Sequence, residues 1–156
     1  MFTLRPSLPR DVERVVEIWC LAVDATHDFL RPDDRIALEQ EVRSFFATAP
    51  LTLAVDAQDK PLGFMLVQDG NMDALFIDPS YHGQGIGKHL VATALQQHPH
   101  LTTDVNEQNQ AAAAFYQHLG FIPTGRSEVD GQGRPYPLIH LQYAETSQQL
   151  LRNVFT

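Results

Sequence analysis

Cysteine, long apolar runs and positive charge are all scarce in this sequence. Cys20 is the single cysteine among 156 residues, so no disulfide can form within the chain, as is typical of a reducing compartment. The longest apolar run, 111–116, has six residues, whereas a membrane-spanning helix needs roughly 18. The first six residues lack the apolar stretch of a secretory signal. We therefore expect a cytoplasmic protein that does not associate with a membrane.

The deficit of positive charge narrows the choice of partners. The sequence has 11 Lys and Arg against 19 Asp and Glu, a formal net charge of −8. Proteins that bind nucleic acid neutralise phosphates with clustered Lys and Arg, so that class of function is disfavoured. The same net charge attracts small cationic partners at long range. Because 44% of the residues are hydrophobic, the chain has enough apolar side chains for the core of one domain.

The spacing of apolar residues predicts strands and helices in the order β-α-α-β-β-β-α-β-α-β-β, which is typical of an α/β fold with a mixed sheet. Ser7 is expected to cap the first helix. The third long strand is apolar on both faces and should be central. The other helices are predicted at 35–46, 85–97 and 108–119, and the strands at 2–5, 51–55, 62–67, 72–77, 101–105, 121–129 and 138–143. We expect one domain over 1–143 and a docked or frayed tail over 144–156.

A glycine-rich turn between a buried strand and a helix is the most informative segment. Three glycines alternate in it, Gly83, Gly85 and Gly87. Glycine lets a ligand approach the backbone, and the free N–H groups of the first helical turn form an anion site for a phosphate or pyrophosphate. A tight turn without a ligand explains the same residues. The dinucleotide fingerprint fails because Lys88 occupies its last glycine position, and the NTPase phosphate loop fails at His82 and His89.

Two motifs resemble those of one enzyme family. Residues 82–87, His-Gly-Gln-Gly-Ile-Gly, are similar to the pyrophosphate loop Gln/Arg-x-x-Gly-x-Gly/Ala of GNAT-type N-acetyltransferases, with His82 in place of Gln or Arg. Residues 109–121 resemble the family's second signature, Asn-x-x-Ala-x-x-Phe-Tyr-x-x-x-Gly-Phe. The resemblance covers roughly 2–143 and implies the GNAT fold, in which a mixed central sheet with a splayed strand pair is flanked by about four helices. Segments 25–30, 105–109 and 125–130 resemble an enteric branch of the family.

The resemblance implies acetyl-CoA as the co-substrate. Its pyrophosphate would bind the backbone N–H groups of Gln84, Gly85, Gly87, Lys88 and His89. Its pantetheine arm would run as a pseudo-strand along Phe76 and Ile77, between two strands that splay apart, and would accept a hydrogen bond from Asn109. A splayed edge offers the unpaired N–H and C=O groups that the pantetheine amides need. His82 supplies less charge to a phosphate than Arg would, and its protonation would make the affinity pH-dependent.

Tyr116 is predicted to be the general acid, as the resemblance implies. When an amine attacks the thioester, the departing CoA thiolate needs a proton, which a phenol can donate over a short distance. Phe115 and Tyr116 can equally be core residues, since an apolar helical stripe runs through this segment. Adjacent helical residues point about 100° apart, so we expect Phe115 in the core and Tyr116 in the cleft.

The group that deprotonates the acceptor has several candidates. Carboxylates on or just after the central strands could do so, at Asp73, Asp104 and Glu107, and each can equally be a solvated charge or a helix cap. Asn106, at the open end of the strand that holds Asp104, can orient substrate or water as a catalytic residue but cannot act as the base. A backbone N–H of the Phe76 strand is expected to stabilise the acetyl oxygen.

The acceptor wall is predicted at the end of the first helix and in the break that follows it. Its residues are Trp19, His27, Asp28 and Phe29. His27 and Asp28 form either a proton shuttle or a hydrogen bond that fixes the loop. Around the last hairpin, the further candidates for the acceptor side or for a dimer contact are Arg126, Glu128 and Tyr136.

Metal and thiol chemistry are not expected. His98 and His100 lie in a helix-to-strand link without Cys or carboxylate at ligand spacing, and Cys20 lies near the apolar stripe of the first helix. The sequence therefore predicts direct acetyl transfer from acetyl-CoA to a primary amine of a small molecule or a protein. The alternative is a catalytically weak acetyl-CoA sensor or interaction module. An edge hairpin and an amphipathic tail are also compatible with a homodimer.

Overall fold

The computed structural model describes residues 1–144, so the predicted tail lies outside the described residues apart from Ala144. The helices are α1 (Val12–Thr26), α2 (Pro32–Phe46), α3 (Ile86–Gln97) and α4 (Gln110–Leu119). The strands are β1 (Thr3–Pro6), β2 (Thr52–Val55), β3 (Pro61–Gln68), β4 (Asn71–Ile77), β5 (Thr102–Asn106), β6 (Phe121–Ser127) and β7 (Leu138–Tyr143). The predicted order of strands and helices is confirmed.

One seven-stranded mixed sheet organises these elements, with the strand order β1-β2-β3-β4-β5-β7-β6. Strand β4 is central, as its two apolar faces predicted. Strands β4 and β5 are parallel, and the other neighbouring pairs are antiparallel, including the hairpin of β2 and β3. Helices are therefore needed on both faces to cover the apolar centre of the sheet.

Each face of the sheet has its own apolar core. On one face, α3 and α4 pack against the sheet through Leu90, Val91 and Tyr116. On the other face, α1 and α2 pack through Ile18, Trp19 and Phe46. None of the described helices combines the length and the apolar character that crossing a membrane requires.

The entry into the first helix differs from the prediction. Ser7 does not cap α1, because its hydroxyl accepts a hydrogen bond from the Leu51 N–H at 3.3 Å and so joins the end of β1 to β2. Asp11 precedes the helix instead. Its carboxylate accepts from the Leu8 N–H at 2.7 Å and pairs with Arg5 at 2.8 Å. A buried carboxylate with two such partners fixes this corner more firmly than a serine hydroxyl does.

Strands β4 and β5 separate after only two paired positions. Asn71 pairs with Thr102 and Met72 with Thr103, and no further pair joins the two strands. The Thr103 hydroxyl donates to the Met72 carbonyl oxygen at 2.9 Å and closes this fork. Beyond the fork, β4 keeps its ladder with β3 on one side only. The splayed pair expected of the GNAT fold is therefore present, and the edge of β4 that faces β5 is open.

Candidate active site

A cavity of about 440 Å³ lies beside the C-terminal half of β4. It is bounded by Leu75, Phe76 and Ile77 of β4, by the end of α1, by the glycine turn and by the first half of α4. No Asp or Glu is among the described residues that line it, although the chain carries a net charge of −8. Its ionisable side chains include Lys88, His82 and His27. The cavity is therefore suited to an anionic ligand in an otherwise acidic protein.

The glycine turn presents backbone N–H groups to this cavity. Gly83 and Gly85 have φ of +81° and +80°, a conformation that residues with a side chain rarely adopt. Gly85 starts α3, and no side chain caps this end of the helix. The first N–H groups of α3 therefore have no partner within the helix and, with the helix dipole, form an anion site.

The structure brings most of the predicted glycine-turn residues to the cavity. Gly85, Gly87 and Lys88 line it, as does the exposed His82, whereas Gln84 is exposed beside it. The expectation that the His89 N–H binds phosphate is wrong, because this group donates to the Gly85 carbonyl oxygen at 2.9 Å and closes the first helical turn. The His89 ring packs edge-on against Phe2, with 5.3 Å between centroids.

Gly87 is required for a different reason, namely close packing. A Cβ atom at this position would lie 3.3 Å from Cζ of Phe115 and 3.8 Å from Cγ1 of Ile77. The missing side chain lets the start of α3 approach both α4 and β4. The floor of the cavity is therefore formed by backbone and two apolar side chains.

Tyr116 lies deeper than predicted. It is 6% exposed and belongs to the core on the α3–α4 face, and its hydroxyl points to Sδ of Met72 at 3.8 Å, next to the fork of β4 and β5. Tyr116 lines the cavity, in agreement with its expected place in the cleft, but the expectation that Phe115 lies in the core is wrong, since it is the less buried of the two and also lines the cavity. Burial raises the pKa of Tyr116 to about 12, so the phenol keeps its proton.

Two asparagines flank the turn from β5 into α4. The Asn109 side chain accepts from the Ala112 N–H at 3.2 Å, which caps α4, and the residue lines the cavity. Its amide N–H₂ group stays available to a ligand. Asn106 ends β5, and its carbonyl oxygen accepts from the Asn109 N–H at 2.9 Å. The structure does not bring Asn106 to the cavity wall, and it defines the turn instead.

The three carboxylates considered as bases lie outside the cavity lining. Asp73 is exposed and accepts from the side chain of Asn71 at 2.5 Å. Glu107 pairs with Arg126 at 2.5 Å, which holds the pKa of Glu107 below its usual value and weakens it as a base. The Asp104 carboxylate is hydrogen-bonded to Nδ1 of His140 at 2.6 Å.

No motif or spacing in the sequence indicates the pairing of Asp104 with His140. Asp104 of β5 is directly opposite His140 of β7, and Nε2 of His140 lies 2.7 Å from the Ser127 hydroxyl of β6. The three side chains span three adjacent strands on an open part of the sheet. Because β7 lies between β5 and β6, strands that are far apart in sequence meet here, and no local pattern marks the cluster.

The predicted acceptor wall is only partly assembled. Trp19 is buried under α2 with the Arg35 guanidinium 4.9 Å from its ring centroid, so it does not line the cavity. Asp28 is exposed and is also outside the lining. His27 lines the cavity, and its ring begins an aromatic row with Phe29 at 5.2 Å and Tyr136 at 5.9 Å beyond it.

Tyr136 holds the β6–β7 connection against the break between α1 and α2. Its hydroxyl accepts from the Arg31 N–H at 3.1 Å and bonds to the Asp34 carboxylate. Arg134 adds a salt bridge to Glu41 of α2 at 3.1 Å. The row is therefore fixed at its Tyr136 end, and of its three rings only His27 lines the cavity, so Phe29 also lies outside the lining.

His27 makes no hydrogen bond to Asp28, so the pair forms neither the proton shuttle nor the loop-fixing hydrogen bond that the sequence predicted. Its Nδ1 lies 2.7 Å from the Thr26 hydroxyl, and that hydroxyl also contacts the Ala22 carbonyl oxygen at 2.7 Å. Burial lowers the pKa of His27, and the nearby Asp28 charge opposes this only in part. The imidazole is therefore neutral at neutral pH.

Over residues 1–144, no three His, Cys, Asp or Glu side chains are grouped as metal ligands. Cys20 is half-buried on α1, and burial raises the pKa of its thiol, which keeps it protonated and unreactive. Cys20 lies outside the cavity lining, which includes the glycine turn, Asn109, Tyr116 and His27.

The forked sheet, the glycine turn and the cavity between them define an acyl-CoA-dependent acetyltransferase architecture. Residues 27–136 match the description "Acetyltransferase (GNAT) domain", and the chain belongs to this family of N-acetyltransferases. The chain is 53% identical to the peptidyl-lysine N-acetyltransferase YjaB of Escherichia coli K12 over 143 residues, which are 92% of this chain and 97% of YjaB.

Solved structures agree with this assignment. The solution structure of apo YjaB from Escherichia coli matches with a TM-score of 0.90 and 52% identity, covering 94% of this chain and 99% of that one. The PaiA N-acetyltransferase of Thermoplasma acidophilum, solved with coenzyme A, has a TM-score of 0.74 at 17% identity and covers 93% and 99%, which supports the fold alone. The resemblance to an enteric GNAT branch is confirmed.

Proposed function

We propose that the chain transfers the acetyl group of acetyl-CoA to the side-chain amine of a lysine in a peptide or protein. The observation that carries this proposal is the cavity, where an uncapped helix N-terminus and an open strand edge meet a buried phenol. The N–H groups around Gly85, Gly87 and Lys88 suit the pyrophosphate of CoA. The open edge of β4 at Phe76 and Ile77 suits the amides of its pantetheine arm, with Asn109 as a further donor.

The position of the fork supports a role for Tyr116 as general acid. An arm that enters along β4 ends near Met72, where the Tyr116 hydroxyl lies. The lysine nitrogen attacks the thioester carbonyl carbon, a strand N–H near Phe76 stabilises the oxyanion, and the C–S bond breaks. A thiol has a pKa of about 8.5, well below that of Tyr116, so a thiolate alone does not take the proton of the Tyr116 phenol readily. Donation from Tyr116 to the thiolate is favourable only when the new amide nitrogen loses a proton at the same time.

Two observations support lysine as the acceptor. YjaB, which is 53% identical, is a peptidyl-lysine N-acetyltransferase. In addition, the sheet beyond the fork carries exposed carboxylates, Asp73 and Asp104, which attract a cationic side chain. These carboxylates lie outside the cavity that suits the anionic cofactor, so the two ligands are matched by regions of different charge.

The test is thiol release from acetyl-CoA with a lysine peptide, the same peptide with Nε-acetyl-lysine, and a free polyamine. We expect release with the lysine peptide, a mass gain of one acetyl group on its side chain, and none with the blocked peptide. Tyr116→Phe should lower kcat by about 10²-fold or more while binding acetyl-CoA as before by calorimetry. Tyr143→Phe, on β7 and outside the cavity lining, is the matched control and should keep full activity.

Other results would contradict specific parts of the proposal. Thiol release with the polyamine and not with the lysine peptide would show that the acceptor is a small amine instead of a lysine side chain. Tight binding of acetyl-CoA without release from any amine would favour an acetyl-CoA sensor over an enzyme. Unchanged turnover in Tyr116→Phe would remove Tyr116 from the role of general acid.

A further inference from the structure

The cavity lacks a carboxylate that could accept a proton from the acceptor. Asp73, Asp104 and Glu107 are all outside its described lining, and Glu107 is held by Arg126. An ammonium group must lose a proton before its nitrogen can attack a carbonyl carbon. The other ionisable side chains of the lining are already assigned, because Tyr81, His82 and Lys88 belong to the turn proposed to hold the pyrophosphate and Tyr116 is the proposed acid. His27, at the end of α1, is therefore the side chain left to meet an incoming amine.

The hydrogen bonds of Thr26 determine which nitrogen of His27 carries the proton. A hydroxyl has a single hydrogen. The Thr26 hydroxyl lies 2.7 Å from the Ala22 carbonyl oxygen, which can only accept, so that hydrogen is donated there. The contact of 2.7 Å between the hydroxyl oxygen and Nδ1 of His27 therefore requires an Nδ1–H donor. Nε2 of the neutral ring then carries a lone pair, and no described residue hydrogen-bonds to it.

We propose that Nε2 of His27 is the general base that deprotonates the acceptor amine, with Thr26 as the positioning residue that fixes the tautomer. This inference rests on the proposed acetyl transfer. The Thr26 to Ala22 bond anchors the ring to the last turn of α1, and the Phe29 ring packs beside it, tilted by 44° with 5.2 Å between the centroids. The base is therefore held by helix backbone on one side and by the aromatic row on the other.

The proton balance of the step is complete. The lysine ammonium gives one proton to Nε2, which leaves His27 as an imidazolium and the nitrogen free to attack. The C–N bond forms and the C–S bond breaks, after which the amide nitrogen loses its second proton to the leaving sulfur through Tyr116. His27 returns its proton to solvent, so the sum is ammonium plus acetyl-CoA giving amide, CoA thiol and one proton.

The surroundings of His27 set the expected pH dependence. Burial lowers its pKa and Asp28 raises it, with the net value below 6.5. The other ionisable groups around the cavity are His82 and Lys88 of the glycine turn, Tyr81 before it and Tyr116 of α4. Because the neutral form is the active one, kcat/KM should fall as the pH drops through a value below 6.5 and stay level from there to the pKa of lysine, about 10.4.

The first test is the pH profile of kcat/KM with a lysine peptide for the wild type, His27→Gln and His118→Gln. Without the base, only the free amine reacts, so His27→Gln should lose about 10²-fold at pH 7 and then gain about tenfold per pH unit. Its acetyl-CoA affinity should stay within threefold of wild type. His118→Gln, which removes an exposed imidazole of α4 outside the cavity lining, should keep the level profile. A level profile in His27→Gln overturns the inference, whereas absence of wild-type turnover overturns the proposed function instead.

The second test does not depend on activity. Nitrogen-15 NMR of the ring distinguishes the two neutral tautomers, and we expect His27 as the Nδ1–H form in the apo protein. Thr26→Val removes the acceptor of that N–H and should convert the ring to the Nε2–H form while lowering kcat/KM about tenfold. An Nε2–H ring in the wild type overturns the inference whatever the kinetics show.

Discussion

The regions proposed to bind the cofactor and the acceptor, here called the cofactor side and the acceptor side, are built in different ways. The cofactor side consists of backbone: the glycine turn, the uncapped start of α3 and the open edge of β4. The acceptor side consists of side chains from α1, the α1–α2 break and the β6–β7 connection, joined through Phe29, Tyr136 and Asp34. Backbone sites depend on a short contiguous stretch, whereas side-chain sites depend on segments that meet only in the fold.

The same contrast appears in the ion pairs. On the cofactor side, the buried Asp78 just before the glycine turn pairs with Arg14 of α1 at 2.7 Å and accepts from the Ser80 N–H at 2.9 Å. On the acceptor side, the pair of Asp24 with Arg35 is largely exposed at the carboxylate. One side is thus held by buried charge and the other by pairs that water screens.

The largest expected effect follows from removing the buried partner. Asp78→Ala removes the buried carboxylate with its bonds to Arg14 and to the Ser80 N–H, while Arg14 keeps its pair with Glu17. The substitution should lower the free energy of unfolding by about 1.5 to 3 kcal/mol. Asp24→Ala should lower it by less than about 1 kcal/mol. Thermal and urea unfolding measure the loss of unfolding free energy in each variant. Equal losses would mean that burial of an ion pair does not determine how much it stabilises the protein.

The pH dependence of the Asp78 contribution has a definite sign. Burial opposes ionisation of Asp78, but Arg14 and the Ser80 N–H outweigh it and hold its pKa below the usual value. The stability that this group adds is therefore complete above the unfolded pKa of about 3.9 and is lost as the pH falls through the lower folded value. The difference between wild type and Asp78→Ala should shrink only in that acidic range.

A medium effect is expected from the glycine turn itself. Gly85→Ala places a side chain at φ of +80°, which costs about 1 to 2 kcal/mol and should weaken acetyl-CoA binding about 5- to 30-fold, measured by calorimetry. Gly131→Ala, in the β6–β7 connection, adds a Cβ that meets nothing within 4 Å and serves as the control. Unchanged binding in Gly85→Ala would show that the turn conformation does not control cofactor affinity.

Much of the fold and the cofactor side could be predicted because the signals are local. The apolar run of β4, the hairpin of β2 and β3 and the glycine that ends α4 at φ of +109° all depend on neighbouring residues. The Ser7 cap failed for the opposite reason. Asp11 accepts from Leu8 and pairs with Arg5, whereas the Ser7 hydroxyl accepts from the Leu51 N–H next to β2. The contact with Leu51, which is distant in sequence, keeps Ser7 away from the helix.

The acceptor side could be predicted only in outline. Trp19 lies on the helix stripe that faces the core, and its burial under Arg35 depends on where α2 packs. The pairing of Asp104 with His140 depends on β7 lying next to β5, which the order of strands along the chain does not indicate. The swapped burial of Phe115 and Tyr116 depends on the approach of α3 at Gly87. Each of these outcomes is set by tertiary packing.

The smallest expected effect concerns the exposed pair of Arg126 and Glu107 on the acceptor side. Arg126→Met frees the Glu107 carboxylate and adds one negative charge, so KM for a basic lysine peptide should fall about twofold at low salt and return to the wild-type value at about 0.5 M salt. Stability should not change measurably. Arg10→Met, which makes the same change of charge near β1 at the opposite edge of the sheet, is the control. An equal fall in KM for both variants would assign the effect to net charge, and a fall confined to Arg126→Met would place the peptide along β6.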